Sequence, residues 1–245
     1  MVMTDAAPSA APVLRRQRWG LWDIPITLVL ALLFATVAAV LAELLGASFT
    51  VALIAGALSS WIGLAGWPIV VTMWRGNGPR RDLGFTMNWA DVRWGVLAGL
   101  IGLVVAGIAA ALTMAVFGEF NSAAGEAAEL LIAQSGPIAW VIFGLLIMIG
   151  APIAEELAFR GLMFSALLKR GMKPWLVIVI TSALFAIFHI EPTRIFLLFV
   201  IGLVLGFVRY RTNSIGSAIV AHAVINAPAA LFVMFGLPEV PGMTP

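Results

Sequence analysis

Apolar runs long enough to cross a bilayer take up most of this chain, and they leave few folds open to it. A spanning helix needs about 20 mostly apolar residues. By that measure the sequence holds seven candidates, at 21–45, 50–74, 95–117, 137–168, 174–190, 195–209 and 215–236. In hydrocarbon every backbone N–H and C=O must be satisfied from within, so runs of this kind cross as helices. Composition agrees: 62% of residues are hydrophobic, 11% are charged, and the mean hydropathy is +1.07. A soluble domain carries about 25% charged residues. The expected fold class is all-α, a polytopic membrane helix bundle of about seven transmembrane helices with a buried polar site.

Four stretches follow along the chain. Residues 1–20 read as a disordered cytoplasmic N-terminus, 21–136 as N-terminal transmembrane helices with an interfacial loop, 137–236 as a core of further helices, and 237–245 as a short tail. Arg15, Arg16 and Arg18 precede the first apolar run, as in a signal peptide. That run is longer than the roughly 7–15 residues of a signal-peptide core, so it reads as a retained first span. The fourth run is too long for one straight span, and Gly150-Ala151-Pro152 inside it predicts a kink, because proline cannot donate to the helix ladder. Gly95-xxx-Gly99 and Gly202-xxx-Gly206 permit close helix contact, expected within one copy of the chain.

Charge sets the expected orientation. With the N-terminus inside, the inner segments hold Arg15, Arg16, Arg18, Arg75, Arg80, Arg81, Arg93, Lys169, Arg170, Lys173, Arg209 and Arg211, twelve of the 14 basic residues. Glu119, Glu126, Glu129, Glu191 and Glu239 fall outside. That is the positive-inside pattern, and it predicts a multi-pass protein of the cell (cytoplasmic) membrane. The net charge of only +2 gives no reason to expect a nucleic-acid partner. With no cysteine, disulfides, thiolate nucleophiles and Cys-type zinc sites are all excluded.

Against this apolar background a few ionisable residues stand out. The chain has two histidines, His189 and His222, and both lie in apolar segments. Upstream is a carboxylate pair, Glu155-Glu156. Ionisable groups in hydrocarbon are costly unless paired or lining a polar cavity. Neighbouring side chains on a helix diverge by about 100°, so Glu155 and Glu156 cannot both face one cavity. Glu156 and Arg160 stand at i and i+4, which predicts a structural ion pair and leaves Glu155 to face something else. Phe185 and His189 share the same spacing, as do His222 and Asn226. At ~1.5 Å per residue, Glu155 lies roughly 21 Å from Lys169, His189 roughly 24 Å from Lys173, and His222 roughly 16 Å from Arg211. These depths fall in one band, so three helices can bring Glu155, His189, His222 and Asn226 to one site. The set suits hydrolysis: Glu155 to take a proton from water, His189 to help hold it, His222 and Asn226 to donate to an oxyanion.

Three motifs carry a family resemblance. Glu155-Glu156-Leu-Ala-Phe-Arg160 resembles EExxxR, Phe185-Ala-Ile-Phe-His189 resembles FxxxH, and His222-Ala-Val-Ile-Asn226 resembles HxxxN. Together they are similar to the signature of the CPBP family, the CAAX prenyl protease and bacteriocin-processing (Abi) group. The resemblance covers about residues 150–228. It implies an all-helical intramembrane endopeptidase that cleaves a membrane-embedded or lipid-anchored protein or peptide. It implies Glu155 and His189 as the groups that activate water, and His222 and Asn226 as the oxyanion hole. Glu156 and Arg160 then support the site, with Phe185 shaping the pocket. Family members have also been described as metalloproteases. The expectation is a site without a cofactor, with zinc on Glu155, His189 and His222 left open. Two other classes remain: a non-catalytic membrane scaffold or bacteriocin-immunity-type protein on the same fold, and an ion-coupled transporter, against which the lack of internal repeats counts.

Overall fold

The computed structural model describes residues 14–237 except Asn121. The expectations for 1–13 and for 238–245 lie outside the described residues. Eight helices carry the architecture: α1 (Asp23–Leu44), α2 (Phe49–Arg75), α3 (Trp89–Phe117), α4 (Ala123–Gln134), α5 (Pro137–Lys169), α6 (Pro174–Phe188), α7 (Ile195–Thr212) and α8 (Ile215–Met234). No strand occurs among the described residues.

The chain is the all-α, multi-pass bundle its apolar runs predict, with one change in the count. Six helices among the described residues are long and apolar enough to cross a membrane. The expected fifth span is α6, an apolar helix of 15 residues. At ~1.5 Å per residue it reaches only about 22 Å, short of a ~30 Å hydrocarbon core. Seven expected spans are therefore six among the described residues, plus one short helix packed on α7 with its other face exposed. α4 lies in a stretch read from sequence as an outer loop. Ser122 starts it, its hydroxyl accepting from Gly125 N–H at 2.7 Å.

Glycine sets how closely the helices approach. A Cβ built on Gly95 or Gly99 of α3 would lie 2.5 Å from Val220 or Val224 of α8. On α7, a Cβ on Gly202 would lie 2.8 Å from Ser182, and one on Gly206 3.0 Å from Ile178, both on α6. Both glycine pairs thus serve contacts within one chain. They draw α3 onto α8 and α7 onto α6.

The basic end is tied by backbone carbonyls. Buried Arg209 donates to the carbonyls of Arg160 and Leu83 at 3.1 Å each, and to Asn213 Oδ1 at 3.1 Å. The basic ends of α7 and α8 therefore sit level with Arg160, while α5 runs on to Lys169. Lys169 Nζ donates to the Trp19 carbonyl at 2.8 Å. Residues 15–19, expected to be disordered, are tied down instead. Arg18 N–H donates to the Arg75 carbonyl at 2.8 Å and the Trp19 indole to Asp82 at 2.8 Å. A buried carboxylate collecting indole and backbone donors fixes this segment although it has no helix.

α5 is irregular on both sides of the expected kink. Wide π turns occupy Leu146–Gly150 and Leu157–Met163, flanking Pro152. In the first, Ala151 N–H bonds to the Leu146 carbonyl five residues back. In that register Pro152 would be the donor to Ile147, and it has no N–H.

Packing on glycine gives a graded prediction. Gly99→Ala and Gly202→Ala should each lower stability by about 1–3 kcal/mol through overpacking. Gly107→Ala, where nothing lies within 4 Å of the added Cβ, should be neutral or stabilising by up to about 1 kcal/mol. Thermal unfolding of the three variants in one detergent reads the order.

Candidate active site

The site begins at Glu155 and Glu156, between the two π turns of α5. Glu156 and Arg160 are both fully buried. Arg160 Nη1 donates to Glu156 Oε1 at 2.9 Å, the i, i+4 pair the spacing predicts. Arg160 Nη2 donates to the Gly202 carbonyl at 3.0 Å, and the guanidinium lies 4.7 Å from the centre of the Phe185 ring. An arginine within a membrane bundle thus has a carboxylate, a carbonyl and an aromatic face.

Glu156 has a second partner that the spacing gives no hint of. His222 Nδ1 lies 3.0 Å from the same Oε1. A carboxylate oxygen accepts, so the network assigns a proton to Nδ1. The other ring nitrogen, Nε2, points to Glu155 Oε2 at 3.9 Å. The two glutamates diverge as neighbours on a helix must, and the imidazole of His222 spans the gap between them.

His189 is set by its own helix. Its Nδ1 lies 2.8 Å from the Phe185 carbonyl one turn back, so that nitrogen carries the proton and Nε2 is left over. Phe185 packs edge-on between the two histidines, 4.7 Å from the His189 ring and 5.7 Å from that of His222. After His189 the chain turns sharply: Ile190, a β-branched residue, has φ of 57°, in the left-handed region. Asn226, one turn beyond His222, donates from Nδ2 to the Ile147 carbonyl at 3.1 Å. That is the carbonyl that Pro152 leaves without a donor. The second N–H of the amide remains for another partner.

Glu155, Phe185, His189, His222 and Asn226 line one cavity of about 230 Å³. Glu156 and Arg160 lie behind it. Glu155 is 17% exposed, and its Oε2 has no hydrogen-bond donor among the described residues. Sequence reasoning missed one wall and the rim. α4 contributes Gly125, Ala128 and Glu129, and the turn before α7 contributes Glu191 and Arg194, which pair with each other. The available signal was the Ser122 cap with small residues at 125 and 128, three apart on one helix face.

Among the described residues no group of three His, Asp or Glu side chains is placed to hold an ion.

Residues 137–228 match the model of the Rce1-like family, the type II CAAX prenyl endopeptidases. Over this segment the chain is similar to the CPBP, or CAAX-protease, family. The matched segment runs from the start of α5 into α8, so the family core contains every side chain named in the three motifs. A protein of Bacillus subtilis (strain 168) bearing the name "Putative membrane peptidase YdiL" is 28% identical over 151 residues. That alignment takes in 61% of this chain and 57% of the relative, so the chain spans little more than half the length of the protein it matches. No solved structure matches the chain.

Proposed function

We propose that this protein is an intramembrane endopeptidase that hydrolyses a peptide bond of a membrane-embedded or lipid-anchored protein or peptide. The observation that carries this reading is Glu155. Its Oε2 is buried without a hydrogen-bond donor, 3.9 Å from a histidine nitrogen, in a cavity shared with the second histidine. A carboxylate so placed is a base waiting for a proton source.

Charge balance supports the protonation state. Glu156 and Arg160 cancel, which leaves Glu155 and His222 to balance each other inside an apolar bundle. With one proton on His222 Nε2 the ring is an imidazolium between two carboxylates, and the four-residue cluster is neutral. Glu155 is then free to accept, and His222 Nε2–H and the second Asn226 N–H are free to donate. A water molecule gives one hydrogen to Glu155 and the other to His189 Nε2. Its oxygen attacks the scissile carbonyl carbon while Glu155 takes the proton. The oxyanion accepts from His222 and Asn226. As the C–N bond breaks, Glu155 returns the proton to the departing amine, and the enzyme is unchanged. Glu156 and Arg160 hold His222 in position and touch no reacting atom.

Glu155→Gln should abolish cleavage, by about a hundredfold or more, while the protein still folds and inserts. Glu156→Gln should instead lower the yield of folded protein. Membrane-protein N-termini in cells carrying wild type and Glu155→Gln at matched levels provide the readout. Termini found only with the wild type support the peptidase and name its substrates; identical termini favour a scaffold. Water activation by Glu155 and His189 needs no metal, so cleavage should persist after chelation. Loss on chelation with recovery on adding zinc would support the zinc alternative on Glu155, His189 and His222.

The same reading places the protein in the cell membrane with its N-terminus in the cytoplasm, on the strength of the basic residues gathered at one end. The chain has no cysteine, so single cysteines report cleanly. An impermeant maleimide should label Glu126→Cys in intact cells and Arg80→Cys only after lysis; the reverse pattern would invert the topology.

A further inference from the structure

A second cavity, of about 440 Å³, lies on the outer face of the bundle between α3 and α7, away from the motif residues. Its walls are Trp94, Leu97 and Ile101 on α3 and Leu203, Phe207 and Arg211 on α7. Gly95 and Gly99 draw α3 onto α8, while Gly202 and Gly206 draw α7 onto α6. α3 and α7 also meet, as at Gly102, where an added Cβ would lie 3.6 Å from Val204 Cγ1, and the furrow runs along the outward side of their seam.

The furrow has a direction. The wall residues recur at one-turn intervals on antiparallel helices, from Trp94 to Ile101 and from Arg211 to Leu203. At ~1.5 Å per residue it runs roughly 10–12 Å from the basic end toward the bilayer centre, most of one ~15 Å leaflet. Its inner reach is wholly apolar, and Trp94 stands at its mouth, where an indole suits the headgroup level. Arg211 is the one charged residue lining it among the described residues. Arg209, two residues earlier on the same helix, is buried and committed to two carbonyls and Asn213. Arg211 by contrast is exposed, with no hydrogen bond or ion pair among the described residues. Asp91, the acidic residue nearest Trp94 in sequence, is buried and occupied by Ser217 and the Asn88 N–H. Arg93, also exposed, adds positive charge beside Trp94.

We propose that this furrow binds one anionic phospholipid, its phosphate on Arg211 and one acyl chain laid between α3 and α7. An apolar trough one leaflet deep fits a hydrocarbon chain. A free cation at its headgroup end selects a lipid of net negative charge over a zwitterionic one, whose own cation would sit against the arginine. The site is distinct from the motif-lined cavity and does not depend on the peptidase reading.

Native mass spectrometry of the full-length protein, incubated with equal amounts of phosphatidylglycerol and phosphatidylcholine, tests it. The expected result is a monomer that retains one phosphatidylglycerol about fivefold more than phosphatidylcholine, the preference one arginine near an anionic headgroup gives. Arg211→Gln should equalise the two lipids, and Leu203→Trp, which fills the trough, should reduce retention of both. Equal retention by the wild type, a preference that survives Arg211→Gln, or a lipid-free dimer showing that a second copy covers the furrow would each overturn the proposal.

Discussion

The structure depends on one buried carboxylate oxygen. Glu156 Oε1 accepts from Arg160 on its own helix and from His222 on α8, and so joins two of the three helices that carry the motifs. Taking a carboxylate and a guanidinium out of water costs several kcal/mol for each ion. Their mutual attraction offsets this only with good geometry and added hydrogen bonds, here from the Gly202 carbonyl and His222. Removing one partner of such a pair typically costs about 3–5 kcal/mol, because the other charge is left buried alone. The pair is therefore weak as a source of stability and strong as a determinant of position. It fixes which nitrogen of His222 is committed and which one faces Glu155.

A second constraint comes from the backbone of α5. Its π turns free carbonyls that a regular helix would use, and side chains from other helices take them. Asn226 reaches the Ile147 carbonyl that Pro152 cannot serve, and Arg209 reaches the Arg160 carbonyl within the second π turn. Unsatisfied carbonyls in an apolar bundle are expensive, so each becomes a docking point. In this way a proline and two wide turns register α7 and α8 against α5, and they hold Asn226 at the cavity.

Much of this was legible in the sequence because it is local. The Glu156–Arg160 pair and the shared faces of Phe185 with His189 and of His222 with Asn226 all follow from i, i+4 spacing. The divergence of Glu155 from Glu156 follows from the helix turn. What was not legible depends on contacts between distant segments or on register. The bond from His222 to Glu156 joins residues 66 apart, and no periodicity encodes it. The role of Asn226 at Ile147 appears only once α5 is known to adopt a π turn there. The shortness of α6 was hidden because an apolar run reads alike whether it crosses the bilayer or ends early. α4 was hidden because its apolar face is broken by alanine and glycine, and its glutamates resemble loop charges.

Two histidines in the whole chain make the central claim directly measurable. Nitrogen-15 spectra of protein labelled only at histidine would give two rings, assigned by replacing His189. We expect His222 to carry a proton on Nδ1, and Glu156→Gln to shift its signals while leaving those of His189 in place. A His222 ring with a bare Nδ1 and its proton on Nε2, or one indifferent to Glu156, would mean that the buried carboxylate does not hold it, and the arrangement described for the site would fail.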